Sequence, residues 1–200
     1  MNPIFIEKFV PNEILNLSDS YSVLKVSNYS FEGPIDLQTN SLVGVYGDAL
    51  METLLDLSTP VIESNVGKKL FPTYSYFRIY EKGDDLKIHV DRESCEYTVA
   101  LCLGCDPIEE PYELFIGEKD DQSDYKYYNK KGEYNKYRID NKFSMLPNNA
   151  VIFKGMDKVH WREPSKHDHF ITVFLHYVDQ EGPYKDYQYD QRSCLGAKKR

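Results

Sequence analysis

From Pro72 onward the chain falls into short segments that alternate apolar and polar residues, separated by turn-forming residues. In a strand, residues two apart share a face, so such alternation predicts half-buried β-strands. We place strands at 73–80, 86–91, 96–103, 112–116, 150–153 and 169–177, all rich in β-branched and aromatic residues. The segment YSYFRIY puts Tyr76, Arg78 and Tyr80 on one face and Phe77 and Ile79 on the other. The final segment, HFITVFLHYV, is too apolar for an exposed edge and is expected to close the sheet.

The N-terminal part reads differently. Residues 3–10 form an opening strand, and Pro11-Asn12-Glu13 begins a short helix with Asn12 as its N-cap. Within 41–57, Leu50, Leu54 and Leu55 recur at helical spacing. A second helical piece begins at Thr59-Pro60 and ends near Gly67. Helices followed by a run of strands predict an α+β layout whose β part is a sandwich or barrel. We expect one domain over 1–200: a helical support (1–70), a β core (71–180) and a tail (181–200). The polar, tyrosine-rich stretch 117–141 is expected to project as a hairpin that turns near Lys131-Gly132 and covers the mouth of any cavity.

Composition narrows the function classes. The formal charge of −8 gives no support to an obligatory nucleic-acid partner, and the basic Lys198-Lys199-Arg200 end is too short to reverse that. No apolar run is long enough for a membrane span, and the N-terminus lacks the basic flank and apolar core of a secretory leader. Four cysteines, Cys95, Cys102, Cys105 and Cys194, are few and irregularly spaced; the CLGC pair has no second pair to complete a zinc ribbon. Reduced thiols in a cytoplasmic setting are the expectation.

The chemistry concentrates in LKIHVDRESCE. His89 and Asp91 share a strand face, opposite Ile88 and Val90. An HxD pair alone occurs readily by chance, and a solvated strand face would carry one. Three features raise it above that reading. His160 follows strand 150–153 and a glycine-containing turn, which completes the two-histidine, one-carboxylate set that holds non-haem Fe(II) with open positions. The face bearing Tyr76, Arg78 and Tyr80 would give a polar, aromatic interior suited to a ligand. The apolar last strand closes that interior.

In this order the motifs resemble the Fe(II)/2-oxoglutarate-dependent oxygenases of the prolyl-4-hydroxylase-like branch. The likeness runs from IFIEKFVPNEI through YSYFRIYEKGDDLKIHVDRESCEYTVALCLG to VIFKGMDKVHWREP and ITVFLHYV. It implies a mainly β fold with N-terminal helices: a double-stranded β-helix, the cupin-like jelly roll, with helices packed on one sheet. It implies His89, Asp91 and His160 as iron ligands, 2-oxoglutarate as cosubstrate, consumption of O2, release of succinate and CO2, and hydroxylation of an aliphatic carbon. Ascorbate would support such an enzyme, and a small-molecule or peptidyl substrate, such as a free or peptidyl amino acid, is implied.

The resemblance also matches Tyr80 and Thr98 to cosubstrate-pocket positions, with Cys102 on the same strand face as Thr98. It departs at the anchor for the distal carboxylate. Relatives carry Arg or Lys nine or ten residues after the distal histidine, where this chain has His169 and Phe170. Arg78, Arg162, Lys166 and His169 are the available substitutes, and Arg78 fits best because an interior arginine needs an anionic partner. Arg92 either orients Asp91, meets substrate or makes a surface ion pair. Trp161 walls the pocket or packs outside; His167 is read as a loop residue and His176 as a structural residue ending the last strand. Two rivals remain: a cupin-type metal enzyme that does not use 2-oxoglutarate, disfavoured because no HxH lies within the barrel strands, and a non-enzymatic jelly-roll binding module.

Overall fold

The computed structural model describes residues 1–27, 38–39, 43–118 and 139–197. Among the described residues ten strands form two facing antiparallel sheets. They are β1 (Ile4–Ile6), β2 (Val43–Tyr46), β3 (Leu70–Tyr80), β4 (Leu86–His89), β5 (Tyr97–Asp106), β6 (Tyr112–Glu118), β7 (Ile139–Met145), β8 (Ala150–Phe153), β9 (Lys158–Arg162) and β10 (His169–Asp179). The larger sheet has the order β1-β8-β5-β10-β3-β2, and the smaller one β4-β9-β6-β7. The long apolar β10 sits between β3 and β5, inside the larger sheet and away from its edges, as its composition called for.

Two helices, α1 (Asn12–Ser27) and α2 (Ala49–Val66), pack on the outer face of the larger sheet. Alternation along the strands explains how. Phe77 and Ile79 of β3, Val99 and Leu101 of β5, and Ile171, Val173 and Leu175 of β10 point outward and pack with Met51, Leu55 and Ile62 of α2. The opposite residues, among them Tyr80, Ala100, Cys102, Phe170 and Phe174, fill the space between the sheets with Leu114, Ile116 and Met145. Truncating a fully buried member such as Leu55 to alanine would cost about 2–5 kcal/mol.

Several elements differ from expectation. Residues 43–48 are not helical: Val43–Tyr46 is the edge strand β2, and the helix starts after Asp48, whose side chain accepts from Leu50 N at 3.0 Å and Met51 N at 3.4 Å. α2 is one helix, not two, and continues through Pro60. Pro60 is exposed, so the Asp56 carbonyl it leaves without a backbone partner faces water. Gly67 does end the helix, in the left-handed conformation (φ 70°) that a Cβ would strain. β7 and β9 join the expected strands, and α1 runs sixteen residues. Of the expected 117–141 hairpin, 119–138 lie outside the described residues, while its flanks, β6 and β7, pair antiparallel.

The segment after β10 is tied to the body. Glu52 of α2 and Arg192 form a fully buried ion pair, and Arg192 Nη2 also donates to Thr73 O at 3.0 Å. The four cysteines are free thiols, three of them buried. Among the described residues no helix is long and apolar enough to cross a membrane.

Candidate metal centre

His89 at the end of β4 and His160 on β9 are Cα partners across the strand pair, so both rings project from one place into the interior. Leu86 pairs with Arg162, three residues away on one strand but two on the other; this bulge lets Leu86 and His89 both face inward. Asp91 lies just past the strand, where its N–H donates to Gly155 O at 2.9 Å. Ile88 and Val90 take the opposite face, beside Trp161, Val159 and Phe115. Alternation thus delivers His89 and Asp91 to one side, and the bulge sets the register that brings His160 to them.

Each imidazole is oriented by its own strand. His89 Nδ1 is 2.7 Å from Lys87 O, and His160 Nδ1 is 3.0 Å from Lys158 O. A carbonyl can only accept, so Nδ1 carries the hydrogen in both rings and Nε2 of the neutral form is a bare lone pair. Both Nε2 atoms lie 3.6 Å from Asp91 Oδ1. Three acceptors therefore converge with no hydrogen between them, and one metal-ligating atom from each residue lies within 4.8 Å of the others. Burial, reinforced by His160, pushes His89 down to about 3 and keeps it neutral. Burial opposes ionisation of Asp91 as well, yet His160, His176 and His89 together with Thr98 hold its carboxyl below the usual range. Such a set of two imidazoles and one carboxylate fits a divalent transition metal.

A cavity of about 370 Å³ opens over this triad. Tyr74, Tyr76, Phe174 and His176 supply aromatic wall, and Arg78 and Arg92 supply cationic wall. Arg92 binds Asp190 in bidentate fashion at 2.6 and 2.9 Å, with its guanidinium 4.6 Å from the Tyr74 ring. It therefore joins the C-terminal segment to the cavity rim instead of orienting Asp91.

The other expected positions separate clearly. Arg78 lines the cavity, flanked by the Tyr76 ring at 5.2 Å and the Tyr80 ring at 5.7 Å. Arg162 lies on the same inward face as His160, two residues on, and is fully buried. Its guanidinium stands over Tyr112 at 4.8 Å, Phe170 at 5.0 Å and Tyr80 at 5.9 Å. Nη1 donates to Tyr112 O at 2.8 Å, whereas Nε and Nη2 have no hydrogen-bond partner among the described residues. Lys166 is exposed and lines a different depression near Glu110 and Lys142. His169 starts β10 opposite Asp106 and on the outer side, near Asp19 of α1, away from the triad. Thr98 donates to Asp91 Oδ2 at 2.8 Å.

Trp161, left open between walling the pocket and packing outside, packs outside the smaller sheet, stacked on Phe115 at 5.4 Å. Two readings change. His167 is buried, bonded to Glu110 O at 2.7 Å, and is not a solvated loop residue. His176 lines the cavity 3.1 Å from Thr98 Oγ1 and does not merely end a strand. Period-two reading of β10, which puts Phe170, Thr172, Phe174 and His176 on one face, would have found it. Tyr74 was also missed, by starting the inward series of β3 at Tyr76.

No protein-family model matches the chain, and no curated protein matches it either. Solved structures do. It is similar to the non-haem α-ketoglutarate-dependent epimerase SnoN from nogalamycin biosynthesis, with a TM-score of 0.66 at 11% identity, covering 88% of this chain and 78% of that one. A Pseudomonas putida prolyl-4-hydroxylase gives 0.59 at 12% identity over 90% and 93%. The viral collagen prolyl hydroxylase of Paramecium bursaria Chlorella virus-1, solved with 2-oxoglutarate, gives 0.57 at 12% over 88% and 96%. The chain thus has the double-stranded β-helix fold of the 2-oxoglutarate-dependent oxygenases.

Proposed function

We propose that the protein is an Fe(II)/2-oxoglutarate-dependent dioxygenase that hydroxylates an aliphatic carbon of a free or peptidyl amino acid. One observation carries this: the two Nε2 lone pairs and Asp91 Oδ1 converge, buried, beneath an aromatic cavity, on a fold shared with such enzymes. When bound, the ferrous ion and 2-oxoglutarate supply dioxygen activation, with release of succinate and CO2. The chain's own residues hold and orient. His89, Asp91 and His160 would hold the metal, and the backbone carbonyls of Lys87 and Lys158 fix both rings. Tyr74, Tyr76 and Phe174 exclude water and shape the space for a small or peptidyl substrate. Asp91 occupies the ligand place that halogenating relatives leave to a halide, which favours hydroxylation.

For the distal carboxylate of 2-oxoglutarate we assign Arg162 in preference to Arg78. A fully buried guanidinium with two nitrogens lacking partners among the described residues is costly unless an anion meets it. Phe170, which occupies the sequence position of the usual cation, lies under the Arg162 guanidinium. The cation has in effect moved from β10 to the facing strand β9 while keeping its place in the interior. Tyr80, beside the same guanidinium, would contact the cosubstrate with it.

The test is aerobic incubation of the Fe(II)-loaded protein with 2-oxoglutarate, measuring succinate. Slow substrate-independent succinate formation, abolished in His89→Ala and Asp91→Ala, is the expected outcome. A folded, iron-loaded protein that never forms succinate, even with a panel of amino acids and peptides, would refute the reading in favour of a binding module.

A further inference from the structure

Asp91 has two carboxylate oxygens, and the interior treats them differently. Oδ1 faces the two Nε2 atoms, whereas Oδ2 accepts from Thr98 Oγ1 at 2.8 Å. Thr98 Oγ1 is also 3.1 Å from His176 Nδ1 and 3.5 Å from Cys95 O. A hydroxyl has one hydrogen to give. The closer, ionised carboxylate takes it in preference to the distant carbonyl, because charge-assisted bonds are the shorter and stronger ones. His176 Nδ1 must then be the donor to Thr98, which fixes the tautomer of that ring. Its orientation is held by Tyr74, 4.5 Å between ring centroids, and by Phe174. Behind Oδ2 the chain carries Gly155, where a Cβ would fall on both Asp91 Oδ2 and Thr98 Oγ1, so the arrangement leaves no slack.

We propose that Thr98 and His176 are positioning residues, a directed chain His176 Nδ1–H to Thr98 Oγ–H to Asp91 Oδ2, that makes Asp91 a one-oxygen ligand. The inference rests on the metal-site reading above and adds a function to it. A carboxylate that bound through both oxygens would occupy a further coordination position. Holding Oδ2 off a bound metal would leave positions open for the cosubstrate and dioxygen. It also takes Thr98, which the sequence resemblance would give to the cosubstrate pocket, and assigns it to the carboxylate.

The test compares the whole protein with Thr98→Val, Thr98→Ser and His176→Phe, each checked for fold by circular dichroism. In the metal-free state, ¹⁵N NMR of the histidine rings should show Nδ1–H at position 176 in the wild type and loss of that preference in Thr98→Val. Titration with Co(II) should show Thr98→Val weakened by about 10- to 100-fold, the usual effect of removing a partner behind a ligand, and Thr98→Ser within about threefold. His176→Phe, which keeps the ring stack but removes the donor, should weaken Co(II) by several-fold and increase the coordination number read from the visible d–d bands. Wild-type Co(II) affinity in folded Thr98→Val, or an equal loss in Thr98→Ser, would overturn the proposal and leave the metal site standing. If Thr98→Val does not fold, an Nε2–H tautomer at 176 in the wild type, or unaltered Co(II) spectra in His176→Phe, overturns it. Failure of the wild type to bind Co(II) at all would remove the metal-site reading as well.

Discussion

Replacing Arg162 by methionine keeps most of the side-chain volume and removes a guanidinium from the interior. Two nitrogens, Nε and Nη2, lack partners among the described residues and would be used by the distal carboxylate. Two charge-assisted hydrogen bonds are worth about 1.5–3 kcal/mol each, so roughly 3–6 kcal/mol of cosubstrate binding is at stake. At 1.4 kcal/mol per decade, the Kd for 2-oxoglutarate should rise by about 10²- to 10⁴-fold. Stability should respond far less. The variant loses donors to Tyr112 O at 2.8 Å and Glu113 O at 3.3 Å, a cost of about 1–3 kcal/mol. It also no longer buries a charge that has no acidic partner among the described residues, which offsets about 1–4 kcal/mol. Arg78→Met, on the cavity wall, should change the same Kd by less than about tenfold, the scale of a screened charge at a distance. The assay is anaerobic titration of 2-oxoglutarate into the Fe(II) protein, following the visible charge-transfer band, with thermal melts alongside. A larger loss in Arg78→Met than in Arg162→Met would refute the assignment of the anchor.

Three further outcomes follow from the same geometry. Gly155→Ala forces a Cβ onto Asp91 Oδ2 and Thr98 Oγ1, so thermal melts should show about 1–3 kcal/mol of destabilisation and Co(II) titration a weakened site. Arg192→Met strands Glu52 in the interior and should cost about 3–5 kcal/mol in urea unfolding, with much of it recovered in the double variant with Glu52→Gln. The metal-free protein should lose stability on acidification. His89 and His176 sit near 3 and 4 when folded and 6.5 when unfolded, so the unfolded chain binds more protons below 6.5. Their contribution is complete above pH 6.5 and falls by up to about 1.4 kcal/mol per histidine per pH unit towards those folded values. Equal urea midpoints at pH 7 and pH 5 would contradict it.

The strands that line the site were legible because their period-two pattern is strong: Phe77 and Ile79 against Tyr76, Arg78 and Tyr80, and His89 and Asp91 against Ile88 and Val90. The opening strand and the cap at Gly67 were legible for similarly local reasons. β2 was not. VGVY is short, and the helical spacing of Leu50, Leu54 and Leu55 drew the helix back over it, although Asp48 carried the true start signal. Pro60 suggested two helices because the exposure of its face, which makes a proline tolerable there, is a tertiary fact. β9 was hidden because KVHWR is five residues long and follows a turn, so His160 looked like a loop residue. The choice between arginines was beyond sequence reasoning. Position 162 faces inward only because β9 exists, and its proximity to Phe170 depends on two sheets facing one another. Thr98 and His176 meet across the larger sheet, 78 positions apart, where no local pattern reaches.

The account depends on one cation being held by His89, Asp91 and His160 together. The most direct measurement is anaerobic Fe(II) binding by the purified metal-free protein, with stoichiometry from calorimetry and ligand type from X-ray absorption. One ion per chain, nitrogen and oxygen ligands that include two imidazoles, and loss of the site in each single alanine variant is the predicted result. Iron that binds with no imidazole signature, or that survives His160→Ala with unchanged affinity, would contradict it.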